Sequence, residues 1–90
     1  MKYDELKRVV SEIALEMAKK GPGWAQQNAV LWEVANRLNF SRDERAQQLI
    51  LTCWHDLFRE GVLSWGLNID NPDLPFYHIA ERDPQHAAAG

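Results

Sequence analysis

The chain has 90 residues, 46% of them hydrophobic, and a formal charge of −3. That length suits one small domain, and the mild acidic balance excludes the strongly basic class of nucleic-acid binders while leaving room for a local basic face. Four Trp, three Phe and two Tyr can build a core at this size. A single cysteine, Cys53, excludes an internal disulfide and suits a reducing compartment. No apolar run approaches the ~20 residues that a membrane-spanning helix needs, so no membrane partner is expected. The start, Met1-Lys2-Tyr3-Asp4-Glu5, lacks the pattern of a signal peptide, which makes the cytoplasm the expected location.

In chain order, the first helix is expected over Asp4 to Lys20. Leu6, Val9, Val10, Ile13 and Met17 recur at steps of three and four, one helical face. Lys19 and Lys20 suit the negative end of the helix dipole, and Gly21-Pro22-Gly23 stops the run. Leu15 falls off that face, among Arg8, Glu12 and Lys19. A second helix is expected from Ala25 or Gln26 to Asn39, with Val30, Leu31, Val34, Ala35 and Leu38 inward. Trp32 projects away from that stripe, and Trp24 ahead of it suits a short strand or a packing plug.

The third helix is expected from Ser41 to about Glu60. Ser41-Arg42-Asp43-Glu44 reads as a capping box, with the Ser41 hydroxyl accepting from the Glu44 amide. Ala46, Leu49, Ile50, Cys53, Trp54, Leu57 and Phe58 give a wide apolar arc, and Gly61 is placed as the C-terminal stop. The period then changes from helical to alternating. Leu63, Trp65, Leu67 and Ile69 share one face of a strand; Asn68 to Pro75 is turn material. Phe76 to Glu81 returns as a second strand, with Tyr77 and Ile79 inward and His78 outward. Residues 83–90 lack a core-facing pattern and read as a flexible tail or linker after a domain over residues 1–82.

Leu57-Phe58-Arg59-Glu60-Gly61-Val62-Leu63 and Pro75-Phe76-Tyr77-His78-Ile79-Ala80-Glu81-Arg82 carry a resemblance to the winged helix-turn-helix superfamily. The resemblance spans roughly residues 4 to 82. It implies an α+β fold of three helices followed by a two-stranded β-hairpin wing. It also implies DNA binding, as a regulator or as the recognition module of a larger protein, with the third helix in the major groove of double-stranded DNA. By helical spacing the outward face of that helix is Ser41, Arg45, Gln48, Thr52, His55 and Arg59. Arg45 and Gln48 suit paired hydrogen bonds to base edges, with Thr52 and His55 beside them. Arg42 and Arg59 suit phosphates, Arg42 through its place at the helix start. The wing departs from that pattern. It offers Asp70 and Asp73, and no Lys or Arg between Gly61 and Ile79.

The alternative is a protein-interaction or homodimerisation module without DNA binding, using Leu15, Trp32 and the third-helix face. Against both stands the plain reading of a solvated helix surface, and for Trp32 a loop or the hairpin as cover. No metal, cofactor or catalytic role is expected. Cys53 and His55, two apart on a helix, point to different sides and cannot share an ion. Cys53 falls on the apolar arc as a small hydrophobe, nothing places Ser64, His78 and Asp70 together, and Gly21-Pro22-Gly23 lacks the Lys-Ser/Thr of a phosphate loop.

Overall fold

The structure is a computed structural model and describes residues 1–82. Its elements run α1 Tyr3–Lys20, β1 Trp24–Gln26, α2 Gln27–Arg37, α3 Glu44–Arg59, β2 Leu63–Trp65 and β3 Phe76–Ile79. The fold is α+β, with three helices and a three-stranded antiparallel sheet in the order β1-β3-β2. The sequence predicts two strands; β1 is the third. Trp24, Ala25 and Gln26 pair with His78, Tyr77 and Phe76, so the chain is still extended where a helix was expected to begin. The edge-to-face contact of Trp24 with Phe76, 5.3 Å between ring centres, secures that pairing.

The core lies between the helices and the sheet. Leu6, Val10 and Ile13 of α1, Val30 and Val34 of α2, and Ile50, Cys53, Trp54 and Leu57 of α3 are buried, with Leu63 and Tyr77 from the sheet. Trp54 is its centre. The ring meets Tyr77 at 4.9 Å, Phe58 at 5.1 Å and Trp65 at 6.2 Å, each edge to face. Its Nε1 donates to Gln27 Oε1 at 2.9 Å, so the indole is buried without an orphaned donor. The Tyr77 hydroxyl donates to the Ala14 carbonyl at 2.7 Å, which ties the sheet to α1. That contact widens the buried side of α1. Ala14 and Ala18 are buried, and Leu15 packs partly buried against the core, so Leu15 is not the free contact residue its spacing suggested.

The helix ends show which local signals win. After α2, Asn39 adopts φ 59°, the Phe40 amide donates to Ala35 at 2.7 Å and the Asn39 amide to Asn36 at 3.3 Å. After α3, Gly61 adopts φ 79°, with Val62 donating to Leu57 at 2.9 Å and Gly61 to Phe58 at 3.1 Å. Both are Schellman closures, which satisfy the last carbonyls through a left-handed residue. The Gly61 stop is therefore as expected. The start of α3 is not. Ser41 and Arg42 sit inside a turn closed by the Asp43 amide donating to Phe40 at 3.1 Å. Asp43 is the cap: its Oδ1 accepts from the Ala46 amide at 3.0 Å. A carboxylate at the positive helix end gains dipole energy that a hydroxyl does not.

The hairpin stem is shorter than the alternating pattern predicts. Gly66, at φ 95°, ends β2 after Trp65. A Cβ there would lie 2.6 Å from the Pro72 backbone, so the chain can close this tightly only at glycine. The tip is a turn over residues 68–71, with the Asn71 amide donating to the Asn68 carbonyl at 3.1 Å and to its Oδ1 at 2.8 Å. Ile69 is thus a turn corner, 95% exposed, and not an inward strand residue. Tyr77 is buried and Ile79 packs against the core, as expected. His78 is half-buried, its Nδ1 2.6 Å from the Gly66 carbonyl, so it lies against the stem and not free in solvent. The expected tail, residues 83–90, lies outside the described residues.

Candidate functional site

Two surfaces carry side chains that the core does not use. The first is the outer side of α2 and α3. Arg45, Gln48, Thr52, His55 and Arg59 are all exposed on α3, and Arg42 is exposed in the turn ahead of it. Ser41 precedes the helix and does not belong to its face. The face is only weakly charged. Arg59 Nη2 stands 3.7 Å from Asp56 Oδ1, and Asp56 also accepts a hydrogen bond from the Tyr3 hydroxyl. That bond and the Asp56 charge hold the Tyr3 hydroxyl protonated, pushing its pKa up to about 12. Arg42 and Arg45 form no ion pair among the described residues, and they alternate with Asp43 and Glu44.

Elsewhere three basic side chains are held in ion pairs. Lys7 meets Glu60 at 2.5 Å; Arg37 meets Glu33 at 2.6 Å and Glu16 at 3.5 Å; Lys20 meets Glu16 at 3.0 Å. The Glu60 hydrogen bond raises the Lys7 pKa, and the bond from Lys20, aided by Arg37, lowers that of Glu16. Such exposed pairs add little stability.

Along the same side runs an apolar groove of ≈ 170 Å³ between α2 and α3. Trp32 and Leu51 stand at its mouth, 54% and 38% exposed. Leu31, Ala35 and Ile50 form its floor, and the amides of Asn28 and Gln47 its polar edge. Gln47 is fixed there by donating through Nε2 to the Phe40 carbonyl at 2.9 Å. Trp32, one of the two side chains expected for protein contact, is uncovered; its apolar neighbour here is Leu51, while Leu15 packs against the core. Leu51 lies outside the apolar arc of α3 that the spacing marks as inward. The signal in the sequence is a leucine whose helical position falls between Gln47 and His55, at the border of the polar face.

The second surface is the hairpin tip. Ile69 and Leu74 are exposed there with Asp70 and Asp73, and neither acid forms an ion pair among the described residues. Behind the tip, Trp65, Leu67, Pro72 and His78 line a shallow, open depression of ≈ 320 Å³.

Among the described residues the candidate chemical groups are not brought together. Ser64 lies across the ladder from His78, but His78 is engaged with Gly66 and Asp70 stands at the tip, so the three form no relay. Cys53 is fully buried, and burial, then the nearby Asp56 charge, push its thiol up to about 11, far from a reactive thiolate. Among the described residues no three His, Cys, Asp or Glu side chains gather as a metal site, and no helix is long and apolar enough to cross a membrane. Compared with known proteins, the chain matches no family model, no curated protein and no solved structure.

Proposed function

We propose that the chain is a winged-helix module that docks onto protein through the groove between α2 and α3. The winged-helix part is supported by three helices followed by a hairpin, with β1 added to the sheet edge. The docking part rests on one observation above all: Trp32 and Leu51 both stay exposed at a groove with an apolar floor. An exposed aromatic beside a recess, rimmed by amides and not by charges, is the composition of an interface centre. The groove has the size for one large apolar anchor, because a cavity of about 150 Å³ already admits benzene.

A random-peptide display library selected on the full chain tests this. Selected peptides should share a single large apolar residue and lose about thirtyfold in affinity on Trp32→Ala, the equivalent of a hot-spot truncation. Peptides that bind wild type and Trp32→Ala equally would contradict the docking site.

DNA binding is the second reading, favoured by the alignment of exposed Arg45, Gln48, Thr52 and His55 along α3 with Arg42 ahead of them. It predicts duplex binding that falls steeply with salt, and weaker, less selective binding by Arg45→Ala. Absence of duplex binding at low salt would remove it. The acidic tip and the Arg59–Asp56 pair weigh against this reading.

A further inference from the structure

We draw no further inference here: the strongest candidate, the apolar groove between α2 and α3 with Trp32 and Leu51 at its mouth, belongs to the docking site already described, and nothing in the structure shows what covers it.

Discussion

The two faces of α3 differ in every respect except their helix. Inward, Ile50, Cys53, Trp54 and Leu57 are no more than 2% exposed, and Trp54 alone meets three aromatic rings. Outward, Arg45, Gln48, Leu51, Thr52 and His55 face solvent, and Leu51 opens onto a groove that nothing among the described residues fills. The inner face explains why the domain folds. The outer face carries apolar surface that folding does not require, and such surface is informative about binding. Stability and recognition should therefore separate by face, and substitutions can break that division or sharpen it.

The largest effect should come from Trp54→Ala. Losing a buried indole costs about 3–5 kcal/mol, and here it also strands Gln27 Oε1. Urea unfolding should show a domain barely folded or unfolded; a loss below about 1 kcal/mol would mean the core is not centred on Trp54. Next is Gly66→Ala, where φ 95° and a 2.6 Å approach to Pro72 leave no room for a Cβ. Strain of this kind costs about 1–3 kcal/mol, and amide exchange should rise first in the hairpin.

Asp43→Ala should cost about 1 kcal/mol as a lost cap, while Ser41→Ala should be near neutral, because Ser41 serves only the turn. Equal losses would mean that Ser41 caps α3 as well. The smallest effect is alkaline. Tyr3 has a folded pKa pushed up to about 12 by its bond to Asp56, above its ordinary value of 10.0. Folding thus favours its protonated form. That contribution is fully present below pH 10 and is lost as pH rises toward 12. Tyr3→Phe should flatten the fall in unfolding free energy over that window relative to wild type.

Much of the fold was legible because local and long-range signals agree. The 3.6-residue spacing of Leu6, Val10 and Ile13 matches a face that the other helices cover, and Gly61 is a stop that only a left-handed residue can make. Disagreement arose where two local signals competed or a distant partner decided. Ser41 and Asp43 both suit a cap, and the turn from Phe40 leaves the position to Asp43. Leu67 and Ile69 continue a strand period, yet Gly66 turns the chain before that period can act. Trp24 to Gln26 become a strand because β3 lies beside them, a pairing with residues 76–78, far along the chain.

The candidate site was legible only in part. Trp32 stood out by falling off its helical stripe, and the α3 polar face by its spacing. That Trp32 meets Leu51 over a recess depends on how α2 and α3 cross, which periodicity within either helix does not encode.

The division of α3 is tested most directly by Leu51→Asp, with unfolding free energy and affinity for a selected peptide read on the same samples. Stability within about 0.5 kcal/mol of wild type, together with loss of peptide binding, is the expected result. A domain destabilised in step with its loss of binding would show that Leu51 belongs to the core and would contradict a groove left open for a partner.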